Sequence, residues 1–192
     1  MKVDIILSGV GGQGILSIAA VIGKAAIKND LHMKQAEVHG MSQRGGDVQS
    51  NLRISDKPIA SDLIPKGAAD LIISLEPMEA LRYLPYLKKE GWIVSNTQPF
   101  ENINNYPDIN AIHEEIKKIP NHVLLDVEAI AKEVGSVRTA NIVMLGASAP
   151  FLNIEYNALE DSIRDIFGRK GEDIVNLNLK ALKAGFEAAQ TK

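Results

Sequence analysis

The chain has 192 residues, 45% of them hydrophobic, with a formal net charge of -3 and an isoelectric point near 5.8. That is enough chain for one α/β domain with a full core, and the acidic balance argues against the basic face of a nucleic-acid binder. The absence of cysteine excludes disulfides, thiol nucleophiles and thiolate-held iron–sulfur clusters within the polypeptide.

No basic run exceeds Lys88-Lys89 or Lys117-Lys118. The longest apolar run is broken by Gly23 and Lys24, too short and too charged for a membrane span. Met1 runs almost directly into a strand, so a cytoplasmic protein without a signal peptide is expected.

In chain order, Val3 to Leu7 reads as a buried strand, and Gly9, Gly11, Gly12 and Gly14 form a glycine turn with Gln13 the only sizeable side chain near its end. Ile15 to Ile27 then has helical character. Strand, glycine turn and helix are the setting that a G-x-G-x-x-G match requires. Gly9 would allow the tight turn, Gly11 would clear the approach of a phosphate, and Gly14 would let the helix start close to the strand. The helix N-terminus makes the turn a candidate anion site; a turn that only packs is the alternative.

Met33 to Val38 is a candidate strand. A dinucleotide fold would need a ribose-binding acid about 20 residues past the glycines. Asp30 and Glu37 fall near that distance, but neither ends a clean apolar strand. The stretch Glu37 to Gly46, EVHGMSQRGG, cannot form a stable helix and reads as a solvated or a binding loop. Val48 to Ile54 alternates, with Gln49, Asn51 and Arg53 on a polar face, which indicates an antiparallel or edge strand.

Ala68 to Leu75 reads as a buried parallel strand, and Glu76-Pro77 opens a helix that Pro85 interrupts. Trp92 to Ser95 and His122 to Asp126 are further strands. Helices are expected over about 109–119, Val127 to Val134 (stopped by Gly135), Thr139 to Ala149, about 156–167 and about 172–189. Gly146 would permit a close helix crossing. The alternation predicts a three-layer α/β/α sandwich, Rossmann-like, with a mostly parallel sheet and an antiparallel edge strand, the whole 1–192 forming one domain.

Among candidate site residues, Arg44, flanked by Gln43 and Gly45-Gly46, can offer a planar fork to a phosphate or carboxylate, or make an interface ion pair. His39 suits a proton donor or a structural loop histidine. His32, His113 and His122 lack companions at metal-ligand spacing. Glu76 and Glu79 complement a helix dipole, and Glu114-Glu115 with Lys117-Lys118 suit a solvated helix face.

Gly9-Val-Gly-Gly-Gln-Gly14, the Glu37 to Gly46 stretch, Glu76-Pro77-Met-Glu-Ala-Leu-Arg82, RTANIVMLG from Arg138 to Gly146 and NLNLKALKAG near the C-terminus are together similar to the gamma domain of 2-oxoacid:ferredoxin oxidoreductases. The likeness spans almost the whole chain in order. A free-standing chain of this size most resembles the indolepyruvate branch, with the pyruvate and 2-oxoglutarate branches as alternatives.

The resemblance implies a non-redox subunit, inactive alone. Its partner is a large catalytic subunit carrying thiamine diphosphate, Mg²⁺ and the iron–sulfur clusters, with ferredoxin engaged indirectly. The family's reaction decarboxylates a 2-oxoacid oxidatively and passes the acyl group to coenzyme A. Gly9, Gly11, Gly12, Gln13, Gly14, Ser42, Gln43 and Arg44 are then the candidates to contact coenzyme A or the partner; the alternative is a turn packed on Ser42-Gln43. A chain parted from its partner could form a homodimer. The competing reading is a free-standing NAD- or FAD-binding protein, and a third is a scaffold whose turn binds nothing.

Overall fold

The computed structural model describes residues 1–39, 45–101 and 103–190. Six strands form one sheet: β1 (Lys2–Val10), β2 (His32–His39), β3 (Asp47–Ser55), β4 (Ala69–Ser74), β5 (Leu87–Asn96) and β6 (His122–Leu125). Their order is β2-β3-β1-β4-β5-β6. β1, β4, β5 and β6 pair in parallel, whereas β3 runs antiparallel to both neighbours.

The strand side chains divide between two faces, as the two-residue period demands. Val3, Ile5 and Leu7 of β1 enter the larger core cluster and Ile6 enters the other. The larger cluster is completed by α1 (Ile15–Lys28), α4 (Val127–Val134), α5 (Ala140–Ser148), α6 (Tyr156–Phe167) and α7 (Glu172–Gln190). The smaller is covered by α2 (Pro77–Arg82) and α3 (Ile109–Lys117). The expected three layers are therefore present. No helix among the described residues is long and apolar enough to cross a membrane.

The local signals act as the residue chemistry dictates. Glu76 caps α2 through a 2.8 Å bond from the Glu79 amide to its Oε2, with Pro77 in the first turn. Pro85 ends the helix in a short 3-10 turn over Leu84–Tyr86. Gly135, at φ 127°, receives the C-terminus of α4. Gly146 of α5 does meet a close crossing, and its counterpart on α7 is Gly185.

Two details differ from the sequence pattern. The alternating strand β3 is antiparallel but interior; the edge is β2, which pairs antiparallel with it. The polar face of β3 is partly covered, because residues 56–64 fold over Asn51 and Arg53. Asn51 Oδ1 accepts from the Ile64 amide at 3.1 Å, and Arg53 donates to the carbonyls of Ser61 and Leu63. Strand β5 also begins five residues earlier than its apolar core, at Leu87, because Ala69 pairs there before a register shift brings Leu71 to Trp92.

Candidate functional site

β1 leads to α1 on one face and β4 leads to α2 on the other, so their C-terminal ends bound the crevice where open α/β sheets bind ligands. The glycine turn stands at its mouth. Gly9 lies so close to Gln13 that a Cβ there would sit 2.7 Å from Gln13 Oε1. Gly14 is the left-handed N-cap of α1, at φ 88°. Its near neighbour is Asn141 of α5, whose Nδ2 donates to the Gly14 carbonyl at 3.2 Å, rather than the strand. Gly11 donates to the Gly46 carbonyl at 2.9 Å, so the return of the second glycine-rich stretch is seated on the turn.

Gln13 fastens the crevice. Its Oε1 accepts from the Val10 amide at 2.7 Å and its Nε2 donates to the Leu75 carbonyl at 3.1 Å, joining the ends of β1 and β4. Both ends of the amide are thereby occupied within the chain. What the turn offers a ligand is backbone: the N–H groups of Gly12, Gly14, Ile15 and Leu16 have no hydrogen-bond partner among the described residues. They stand at the positive end of the α1 dipole.

A cleft of 430 Å³ opens on this backbone, lined by Val10, Gly11, Gly12, Gly14, Ile15 and Leu16, with Glu37 and Val48 opposite. Its walls are mainly apolar, and Leu16 is half-exposed beside it. Ser42, Gln43 and Arg44 lie outside the described residues. So does the side chain of His39, whose backbone pairs with Val48. Glu37 does reach the glycine-turn cleft, but β3 separates β2 from β1. The adjacent parallel pair on which a dinucleotide fold hangs its ribose acid is thus interrupted.

A second cleft, of 300 Å³, opens on the other flank of the turn. Gly12, Gln13 and Gly14 meet Glu128, Val137, Arg138, Ala140 and Asn141 there. Asn96, fully buried at the end of β5, lies behind it and holds Glu128. Its Nδ2 donates to the Leu75 carbonyl at 3.2 Å and to Glu128 Oε1 at 3.2 Å, while its Oδ1 accepts from the Val127 amide. Asp126 caps α4 at 2.8 Å and accepts from Gln98. Glu128 Oε2 is closed off from solvent and has no hydrogen-bond partner among the described residues.

Burial pushes the Glu128 carboxyl above its ordinary value, against the lowering effect of Asn96. The folded chain therefore holds this proton more tightly than the unfolded chain. The stabilisation is complete below the ordinary carboxyl range and is lost as pH rises through the raised value. Glu128→Gln should consequently be at least as stable as the parent chain at pH 7, with a shallower decline of stability just above pH 4.5. Denaturant melts across pH 4 to 8 measure both.

The other candidates resolve into structural roles. Glu76 Oε1 accepts from the Tyr106 hydroxyl and from the Phe100 amide at 3.4 Å, which ties these two residues to the cap of α2. Glu79 accepts from Arg82 Nε at 2.8 Å; burial nevertheless raises its carboxyl pKa. His113 and His122 bond to the carbonyls of Thr97 and Ile119. No group of three His, Asp or Glu among the described residues could hold a metal. The sequence reading missed Asn96, Glu128 and Asn141. The only signal for the first two was their place just past apolar strands, in WIVSN and in HVLLDVE.

Residues 4–188 match the family described as pyruvate ferredoxin/flavodoxin oxidoreductase. The chain is 39% identical to the indolepyruvate oxidoreductase subunit IorB of Archaeoglobus fulgidus, over 98% of this chain and 96% of that one. Among solved structures, the gamma subunit of a keto/oxoacid ferredoxin oxidoreductase from Geobacter sulfurreducens superposes with a TM-score of 0.72, at 27% identity and 99% coverage of each chain. The 2-oxoglutarate:ferredoxin oxidoreductase of Magnetococcus marinus, with 2-oxoglutarate, coenzyme A and succinyl-CoA bound, shares the fold. Its TM-score is 0.79 at 24% identity, over 100% of this chain and 31% of that longer one.

Proposed function

Because the chain belongs to the pyruvate ferredoxin/flavodoxin oxidoreductase family, we propose that it is the non-redox small subunit of a thiamine-diphosphate-dependent 2-oxoacid:ferredoxin oxidoreductase. The whole of 1–192 would act as one gamma-type domain in the cytoplasm. Likeness to the IorB subunits favours an aryl 2-oxoacid such as indolepyruvate, converted to its acyl-CoA with reduction of ferredoxin; a pyruvate or 2-oxoglutarate enzyme is the alternative. Thiamine diphosphate, Mg²⁺ and the clusters belong to a large partner subunit in this reading.

The observation that carries it is the glycine-turn cleft in a chain without cysteine. Amides at the start of α1 that have no partner among the described residues suit a phosphate of coenzyme A, and the apolar walls suit the carrier's uncharged arm. The chain's own contribution is then to bind and orient that cosubstrate and to cover the partner's site from water. Ser42, Gln43 and Arg44 are proposed to complete the cleft.

Size-exclusion chromatography of an anaerobic mixture with the large subunit tests the proposal. Co-migration and a gain in 2-oxoacid-dependent ferredoxin reduction are expected, with no activity in the small chain alone. Separate migration and no gain would overturn the reading. NAD(H) or FAD retained on the purified chain would instead favour a free-standing dinucleotide binder.

A further inference from the structure

The large apolar side chains that this chain leaves in water are not spread evenly. Leu16, Val38, Phe100, Ile103 and Val137 are each between 43% and 55% exposed, and all five stand at the end of the sheet where its parallel strands terminate. Leu16 lines the glycine-turn cleft from the first turn of α1, and Val137 lines the second cleft on the other flank of that turn. Val38, near the end of β2, pairs with Gln49, which pairs in turn with Ser8 near the end of β1. The Phe100 amide is tied to Glu76 at the cap of α2, and Tyr106, shortly after Ile103, is tied to the same carboxylate. The other exposed large apolar residues among those described are scattered. Met1 opens the chain, Leu63 lies in the 56–64 strap, Ile27 is at the far end of α1 and Ile174 is in the first turn of α7.

Exposed apolar residues standing singly are ordinary, but a group of them around one crevice marks a surface that another molecule covers. The charges beside them indicate which molecule. Glu37 at the cleft, Asp47 opposite Val10 and Glu101 next to Phe100 are exposed and form no ion pair among the described residues. Arg82, close enough to feel Asp47, is taken by Glu79. Arg138, on the wall of the second cleft, is unpaired among the described residues, one cation against three carboxylates. Two copies of this chain pressed rim to rim would set those carboxylates against each other and seal both clefts. An apolar surface bordered by basic groups is the complement of this rim.

Resting on the function proposed above, we propose that the rim is the docking face for the large catalytic subunit. That subunit would cover Leu16, Val38, Phe100, Ile103 and Val137 with apolar side chains and set lysines or arginines against Glu37, Asp47 and Glu101. The glycine-turn cleft then lies inside the contact, facing the partner and shielded from bulk water. The apolar groups hold the complex together, and the carboxylates govern how fast it forms.

Biolayer interferometry of the full chain on the immobilised large subunit, under anaerobic conditions, tests the assignment. Phe100→Ser combined with Val137→Ser should weaken the complex by about tenfold or more, mainly through faster dissociation. Ile27→Ser combined with Ile174→Ser removes exposed apolar groups away from the rim and should leave the affinity unchanged. Glu37→Gln, Asp47→Asn and Glu101→Gln together should slow association and flatten its dependence on salt between about 50 and 500 mM. Melting temperatures serve as the folding control for every variant. If the parent chain does not bind the large subunit, the functional reading falls and the docking face with it. If the parent binds and the Phe100/Val137 variant binds as tightly, or the Ile27/Ile174 variant is weakened as much, the docking face alone is overturned. Sedimentation of the isolated chain checks the rival occupant: a dimer that Phe100→Ser breaks up would assign the rim to a second copy and overturn the proposal.

Discussion

Gly185→Ala should destabilise the chain by about 3 kcal/mol, although alanine is the better helix former by about 1 kcal/mol. The added Cβ would collide with the Val143 carbonyl oxygen of α5, and a Cβ on Gly146 would collide in the same way with the Leu182 carbonyl of α7. Each helix thus presents its bare backbone to the other, and neither obstacle is a side chain that can rotate away. Helices α5 and α7 must part, which opens a core built from Ile142, Val143, Leu145, Ala181 and Leu182.

In a chain of this size such a loss corresponds to a fall of roughly 6–12 °C in melting temperature. Gly168→Ala is the control, since a Cβ there meets nothing within 4 Å; it should be neutral. Gly146→Ala combined with Gly185→Ala should cost less than the sum of the two, because the first separation of the helices already relieves the second clash. Equilibrium denaturation of the parent chain, the three single variants and the double variant gives all the values. A neutral Gly185→Ala would mean that the two helices do not meet this closely. The consequence reaches the second cleft, because Asn141, at the start of α5, is bonded to the glycine turn.

Arg53→Met should cost about 3 kcal/mol, the lower end of what removing one partner of a buried ion pair brings. Asp4 is wholly buried in β1, and Arg53 on the neighbouring β3 holds both its oxygens, with Nε at 2.8 Å from Oδ1 and Nη2 at 3.0 Å from Oδ2. Lys2 Nζ, 2.8 Å from the same carboxylate, stays in the variant and softens the loss. Arg53 also ties down residues 56–64 through the carbonyls of Ser61 and Leu63, so that strap should lose protection from amide hydrogen exchange. Asp4→Asn added to Arg53→Met should restore part of the stability by removing the stranded charge. If the single variant were as stable as the parent, water would have to reach Asp4 in solution.

Much of the architecture could be read before any coordinates, and the reasons are local. The apolar stretches Ile5–Leu7 of β1, Leu71–Ile73 of β4 and Val123–Leu125 of β6 are unbroken by polar residues because parallel pairing in this sheet buries both faces. Helices α4 and α6 match their expected bounds because Gly135 and the 168–171 linker mark their ends. The glycine turn could likewise be placed between strand and helix from spacing alone. Its partners could not: Gln13 reaching Leu75, Asn141 reaching Gly14 and Gly46 reaching Gly11 are contacts between residues far apart in the chain. Expected roles for Ser42, Gln43 and Arg44 remain proposals about residues outside those described.

Taken by itself, the sequence determined the class of fold, the order of most strands and helices, the position of the glycine turn, and the inability of the chain to hold a cysteine-ligated cluster. Each of these follows from periodicity, composition or a residue's own backbone preferences, which act over a few neighbours. Tertiary structure alone decided that β3 is inserted between β1 and β2, that residues 56–64 cover Asn51 and Arg53 on its polar face, and that two clefts flank the turn. It also decided which side chains stay unmatched. Arg53 is neutralised by Asp4, whereas the exposed Arg138 guanidinium has no ion-pair partner among the described residues. Charge pairing depends on distances between segments that the chain brings together only by folding, so no pattern along the sequence could distinguish a paired ion from an unpaired one.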